Sequence, residues 1–321
     1  MGDVRVGLLP GYVADLPALE AAVRRSVWAE EQGFSFILLG ERIQWKKPML
    51  DAFIAAALIA QRTRHIGVGP ICLMPVREPL ITSKLICTVD QISGGRMMLF
   101  PAIGGDYARE YRNCGVEMSE RVGRTDEALE ILRRLWTEAI VTYEGIHYRL
   151  RDAVAQPRPV RPGGPPMWLA HRGRSAAALR RTVRLCDGWL ASWVSPDRFR
   201  RRWQEHLAYA ETIGRDPSTL TPAAIVRLIV ARSKEDAIRR AARWRADMYG
   251  HAEEASLMDH LLPLGTVEQC AEKLRGFLEA GVTHLVISSP LPEDEWDEQL
   301  EVIAKEVLPM AGIDLRPRLA A

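Results

Sequence analysis

The sequence predicts an α/β protein, a (β/α)8 TIM barrel with insertions, and three observations carry that expectation. Short apolar runs alternate with longer segments of helical period along nearly all of the 321-residue chain. The short runs are apolar at consecutive positions, so each strand is buried on both faces, as in a parallel sheet covered by helices. No Gly-x-Gly-x-x-Gly follows any strand, which disfavours an open dinucleotide-binding sheet; Gly67-Val-Gly-Pro-Ile-Cys72 comes nearest and lacks the third glycine.

The elements follow in order. Val4 to Leu9 is the first strand, ended by Pro10-Gly11. Leu16 to Glu31 places Leu19, Val23 and Val27 on one helical face and stops at Gly33. Phe36 to Leu39 is the second strand, with Gly40-Glu41-Arg42 as the turn after it. Leu50 to Ala60 is an Ala-rich helix, and His65 to Val68 a third strand followed by Gly69-Pro70. Leu80 to Ile92 is helical and ends at Ser93-Gly94-Gly95; Arg96 to Phe100 is the fourth strand, with Gly104-Gly105-Asp106 beyond it. Ser119 to Trp136 is a long helix.

Val141 to Leu150, with Glu144-Gly145 at its centre, alternates like a small hairpin and leads into the Pro/Gly-rich stretch Gln156 to Pro166. The fifth strand opens at Met167; Gly188 to Ala191, Ala224 to Val230 and His284 to Ile287 complete the eight. Helices Val267 to Ala280 and Trp296 to Val307 flank the last strand. Because the alternation runs unbroken across the Pro/Gly stretch, the chain reads as one domain over 1–321, with 141–165 an insertion.

Composition narrows the function classes. A hydrophobic content of 47% and a charged content of 26% fit a water-soluble globular protein. The net charge of +2 is too small and too evenly spread to make nucleic acid the main partner. Arg180-Arg181 and the run Arg198 to Arg202 read as solvated helix faces. The longest apolar run, Ala52 to Ala60, is far short of a membrane span. With no signal peptide evident and five scattered cysteines, the expectation is a cytoplasmic protein with reduced thiols and no metal site.

In such a barrel the active site lies at the carboxyl ends of the strands, which selects the polar residues to weigh. The segment His171-Arg172-Gly173-Arg174-Ser175 is the most informative. It joins a buried strand to a helix that starts abruptly, with Ser175 as N-cap, Gly173 for close backbone approach, and two arginines beside the open N–H groups of the first turn. Those N–H groups and the helix dipole favour an anion, and a phosphate is the commonest biological one. An ordinary capped connection is the alternative. Trp45, Trp193, Trp244 and Tyr249 are candidate walls of a substrate pocket. The segment 243–262, with Trp244, Met248, Tyr249, His251 and His260, is a candidate lid or insertion over the site.

With those residues in place the chain resembles the luciferase-like monooxygenase superfamily, the flavin- or deazaflavin-dependent TIM-barrel oxidoreductases. Four segments carry the resemblance in order: Glu30-Glu-Gln-Gly-Phe34; Arg62-Thr-Arg-His-Ile-Gly-Val-Gly69 with Arg77-Glu-Pro79; Thr88-Val-Asp-Gln-Ile-Ser-Gly-Gly-Arg96 with Gly105-Asp-Tyr-Ala-Arg-Glu110 and Gly115-Val116; and Gln156-Pro-Arg-Pro-Val160 through Pro165-Pro166 to Asp187-Gly188-Trp189. The resemblance implies a bacterial luciferase-like barrel, homodimeric, with the phosphate of FMN or of the deazaflavin F420 on the turn from Arg172 to Ser175, and His171 beside it either in an orienting contact with the cofactor or as a rim histidine. It also implies a cis peptide after strand three, behind the ring of the cofactor, which maps here to Gly69-Pro70. A trans proline ending the strand is the alternative.

Where relatives often carry Asp-His or Glu-His after strand two, this chain has Glu41-Arg42. Arginine stays protonated, so Arg42 suits binding of a carboxylate, phosphate or enolate rather than a proton relay, or else forms a rim salt bridge. Asp106, after Gly104 and Gly105, matches an acidic position of some deazaflavin-dependent dehydrogenases. It is either a general acid of raised pKa or the N-cap of a short helix Tyr107 to Tyr111. Glu110 is expected to pair with Arg109 or Arg112. The function implied is hydride transfer between F420 and a small organic substrate. The alternatives are a reduced-FMN monooxygenase and a non-catalytic flavin-binding protein. A phosphosugar enzyme on the same barrel would need a catalytic lysine or paired carboxylates at strand ends; Lys46 and Lys47 read as solvated loop residues.

Overall fold

The computed structural model describes residues 4–105, 107–250 and 254–316. Twelve strands are formed: β1 (Arg5–Leu8), β2 (Phe36–Leu39), β3 (Gly67–Leu73), β4 (Phe100–Ala102), β5 (Val141–Glu144), β6 (Arg149–Ala153), β7 (Trp168–His171), β8 (Gly188–Ser192), β9 (Thr221–Arg227), β10 (Ile229–Val230), β11 (Leu264–Gly265) and β12 (His284–Ser288). Eight of them close into a parallel barrel in the order β1-β2-β3-β4-β7-β8-β9-β12, with β12 returning to β1. β5 and β6 form the expected antiparallel hairpin, and β10 and β11 a small parallel pair outside the barrel.

The covering helices are α1 (Leu16–Gln32), α2 (Ala52–Arg62), α3 (Pro79–Ser93), α4 (Ala108–Asn113), α5 (Arg121–Thr137), α6 (Ala176–Leu185), α7 (Pro196–Thr212), α8 (Lys234–Tyr249), α9 (Ala255–Leu261), α10 (Val267–Glu279) and α11 (Trp296–Val302). Side-chain caps start several of them: Asp15 on α1, Asp51 on α2, Ser175 on α6, and a reciprocal Thr266/Gln269 box on α10. Among the described residues no helix is long and apolar enough to cross a membrane.

Alternation along each strand divides the core into two layers. Phe36, Leu38, Phe100, Trp168, Leu190, Ile225 and Val286 fill the barrel interior, while Ile37, Leu39, Val68, Leu169 and Leu285 face the helices. Phe36, Phe100 and Trp168 meet at centroid distances of 5.5–6.2 Å and plug the amino-terminal half. These rings separate the mouth at the carboxyl ends of the strands from the amino-terminal end of the barrel.

Four sequence expectations are corrected. Gly69-Pro70 does not follow the third strand; both residues lie inside β3, with Pro70 paired to Leu39. Nor is that peptide cis, for among the described residues the one cis bond is Gln156–Pro157. The seventh strand does not run through to Val230: β9 ends at Arg227, Leu228 donates its N–H to Ser288, and β10 starts a separate pair. The fourth strand forms a continuous ladder only over Phe100–Ala102, although Met97 and Leu99 ahead of it already make isolated bridges to Val68 and Met167.

Candidate active site

A cavity of about 560 Å³ occupies the carboxyl-terminal mouth of the barrel, within the range of small-molecule sites. Smaller and larger hollows at the opposite end, around Arg5, Ser35 and His65, lie at the amino ends of the strands, where barrel enzymes do not place their chemistry.

The turn between β7 and α6 forms one wall. Ser175 Oγ accepts from the Ala178 N–H at 3.4 Å, and Arg172, Ser175, Ala177 and Ala178 all line the cavity. The first turn of a ten-residue helix thus points its open N–H groups and positive dipole end into the mouth. Gly173 has φ of +62°, and an added Cβ would stand 2.9 Å from the Trp189 ring, so the glycine is required by the protein's own packing.

Beneath this turn lies a ring stack. Trp189, fully buried, is stacked on His171 at 5.1 Å, on His206 at 4.8 Å and on Phe199 at 4.9 Å. The hydrogen bonds fix the His171 tautomer. Its Nδ1 accepts from the Gly173 N–H at 3.1 Å; the Thr182 hydroxyl is spent on the Ala178 carbonyl at 3.0 Å and so accepts from Nε2–H at 3.1 Å. Protonating Nδ1 would set two N–H groups face to face. Burial, with His206 and nearby arginines adding to it, holds His171 far below the usual imidazole range. His171 therefore braces the turn as a neutral ring.

On the opposite wall, Glu41 follows β2 and is almost fully buried. One carboxylate oxygen accepts from the Leu73 N–H at 2.6 Å and the other from Arg77, which also reaches Asp51 at 3.1 Å. Burial raises the Glu41 pKa, against the opposing pull of Arg77. Glu41 thus anchors the end of β3, where Ile71 and Leu73 line the cavity in place of Gly69 and Pro70. Arg42 lies 3.5 Å from the fully buried Glu110 and 4.3 Å above the Trp45 ring. Glu110 also accepts from the Ile43 N–H at 2.6 Å, so its partner is Arg42 rather than Arg109 or Arg112.

Aromatic side chains close the third side. Trp45 meets Tyr249 at 5.6 Å, and Tyr249 meets Trp244 at 6.1 Å. Lys46 donates to the Tyr249 carbonyl at 2.7 Å and Lys47 pairs with Asp247. These lysines, expected in solvent, instead tie the loop after β2 to the end of α8. Trp193 closes β8 with φ of +56°, a left-handed conformation that a bulky residue adopts only where its surroundings impose it.

A family model described as luciferase-like monooxygenase matches residues 5–284. The chain belongs to this family. Among relatives, an F420-dependent glucose-6-phosphate dehydrogenase of Intrasporangium calvum is 26% identical, covering 89% of this chain and 93% of that one. Among solved structures, an F420-dependent secondary alcohol dehydrogenase with an F420–acetone adduct superposes with a TM-score of 0.82 at 17% identity, covering 96% and 99%. The oxygenating component of a 3,6-diketocamphane monooxygenase of Pseudomonas putida, with FMN, reaches 0.75 at 19%, covering 96% and 98%. The chain is thus an oxidoreductase of a family that uses F420 or FMN.

Within this luciferase-like barrel the mouth brings together Glu41, Arg42, Trp45, Gly104, His171, Arg172, Ser175, Trp193, Trp244 and Tyr249. Gly69, Pro70, Gly105, Gly173 and Arg174 do not line it. Asp106 and His251 lie outside the described residues; the N-cap position of α4 is Tyr107. Reading the sequence missed Arg181 and Arg227. Arg181 is buried against Asp126 at 3.1 Å and lines the cavity, so it is no solvated face. Arg227 sits inside the apolar run Ala224 to Val230, which carries no local sign that β9 ends at this residue.

The ring stack makes the turn sensitive to acid. Burial lowers the His206 pKa to about 4 from an ordinary 6.5. Between those values the unfolded chain binds a proton that the folded one does not, so stability falls as pH drops from about 6.5 to about 4, by about 3 kcal/mol for His206 alone. His171 and His284 shift in the same direction. Melting temperature measured from pH 7 down to pH 4 is expected to fall continuously; a flat profile to pH 4.5 would sink this account of the stack.

Proposed function

We propose that this enzyme moves a hydride between F420 and a small organic substrate held in the barrel mouth. The observation that carries the reading is the α6 N-terminus, with Ser175 and Arg172, lining a cavity of the size a ring-bearing cofactor and a small substrate require. The residues fit such a group. Open N–H groups and Arg172 suit its phosphate, and Gly104, at φ of +69°, lines the cavity at a position where an added Cβ would stand 2.2 Å from the Tyr111 hydroxyl and 3.0 Å from Leu73. F420, when bound, supplies a two-electron hydride carrier with little oxygen chemistry. The F420-dependent relative at 26% identity over most of the chain supports that cofactor.

The chain's own part is to bind, orient and dry the site. Trp45, Trp244 and Tyr249 exclude water from the mouth. Tyr12, which also lines it, keeps its proton because burial pushes its pKa up to about 12, and its hydroxyl donates to the Lys47 carbonyl at 3.1 Å. Both lining glutamates are held by arginines from outside, Glu41 by Arg77 and Glu293 by Arg25. For the proton that accompanies hydride transfer we adopt Asp106, the acidic position after β4 to which the family resemblance points.

The test is anaerobic turnover of purified protein with F420 and a panel of small alcohols, hydroxy acids and imine precursors, followed by the cofactor's visible absorbance. Bleaching with at least one substrate is expected. Asp106→Asn should slow it by roughly 10²-fold or more while still binding cofactor. Oxygen consumption with reduced FMN, and no bleaching of F420 by any substrate, would contradict the proposal.

A further inference from the structure

Among the described residues the cavity wall carries more arginines than carboxylates. Among the described residues, Arg42, Arg121, Arg172, Arg181 and Arg227 line it, against Glu41 and Glu293, which are already neutralised from outside. Arg42 and Arg181 face carboxylates of their own. Arg227 differs. It is the last residue of β9, and its NH1 donates to Ser192 Oγ at 3.1 Å while its guanidinium lies 5.2 Å from the Trp193 ring centroid. Among the described residues no carboxylate pairs with it.

Burial lowers its pKa, and the nearby Arg172 and Arg245 add to the effect against Tyr249. An arginine does not give up its proton in a protein, so the half-buried Arg227 guanidinium presents a positive charge to the cavity, where an anion could pair with it. Ser192 accepts from Arg227 and retains its own hydroxyl proton to donate onward. Trp193 carries a second guanidinium, that of Arg245, at 4.4 Å, and Arg245 also lies 4.7 Å from the Tyr249 ring. The left-handed backbone at Trp193 holds this wedge in place. β9 is two strand spacings from β7, roughly 10 Å, so Arg227 and the α6 N-terminus are rooted apart in the barrel wall.

We infer that Arg227, with Ser192, is the seat for a carboxylate of the substrate, whose apolar body lies against Trp193 and Tyr249. The inference rests on the reading of the mouth as a cofactor and substrate site. A planar guanidinium fork matches a planar carboxylate edge to edge, and the aromatic walls favour a flat, apolar body over a polyol.

The experiment is calorimetric titration of benzoate, benzamide and phenyl phosphate into the protein, alone and loaded with F420, for wild type, Arg227→Gln and Arg227→Lys. F420 affinity is measured for each variant, and folding is checked by circular dichroism. Benzoate is expected to bind roughly tenfold or more tightly than the other two probes, and Arg227→Gln to lose roughly tenfold, with Arg227→Lys between them. F420 affinity should stay unchanged in both variants. Equal binding of benzoate and benzamide, preference for phenyl phosphate, or unaltered benzoate affinity in Arg227→Gln would each overturn the inference. A loss of F420 affinity in Arg227→Gln would also overturn it, by assigning Arg227 to the cofactor. If F420 fails to bind but benzoate binding still depends on Arg227, the carboxylate seat stands and the cofactor reading falls.

Discussion

Gly69→Ala is expected to destroy the fold rather than weaken the cofactor site. A Cβ at this position would stand 2.2 Å from the Met98 carbonyl oxygen and 2.8 Å from its carbonyl carbon. Both are backbone atoms of the chain entering β4, so relief requires β3 and β4 to separate. A cost of about 3 kcal/mol or more, with loss of soluble protein, is the expected result. Gly40→Ala is the control: Gly40 lines the cavity, and its added Cβ would meet nothing nearer than 3.9 Å. That variant should stay within about 1 kcal/mol of wild type in denaturant unfolding. A well-folded Gly69→Ala protein with wild-type stability would show that β3 is not packed as described.

The second large effect belongs to Glu41. Its carboxylate is buried, bonded to the Leu73 N–H and to Arg77, whose own side chain is only 13% exposed. Glu41→Ala leaves the Leu73 N–H and most of the Arg77 charge without their partner, with Asp51 a more exposed substitute at 3.1 Å. Breaking a buried pair in this way costs about 3–5 kcal/mol. Glu41→Gln keeps an acceptor for Leu73 and should cost about 1–3 kcal/mol. Both substitutions loosen the end of β3, so cofactor affinity should fall in the same order. Urea unfolding and cofactor titration of the two variants check this; equal stability of wild type and Glu41→Ala would contradict the anchoring role.

These cases show what was legible in the sequence. Phe36–Leu39 was readable to the residue because four apolar positions lie between clear turns. The third strand was misplaced because Gly67-Val-Gly-Pro70 carries turn residues, whereas its glycine answers a demand for close strand approach that only the folded neighbour Met98 reveals. Arg227 was missed for a related reason: the run Ala224 to Val230 contains no glycine, proline or turn cluster, although the chain changes sheets at Leu228. Ser175 was readable because an N-cap is a local device, and the structure shows the bond. His171 was recognisable as a rim residue. Its tautomer was not, since that depends on Thr182 and Gly173 together. The pairing of Arg42 with Glu110 joins positions far apart in the chain, and local spacing pointed instead to Arg109 and Arg112.

The measurement that tests the central claim most directly is parallel calorimetric titration of the purified protein, and of Arg172→Ala, with F420 and with FMN. Saturable F420 binding, weaker FMN binding, and a loss of roughly tenfold or more for Arg172→Ala at unchanged melting temperature are the predicted results. Tighter binding of FMN would move the protein to the oxygenase side of its family. Failure of both cofactors to bind would contradict the assignment of the α6 N-terminus as their phosphate seat, and with it the proposed function.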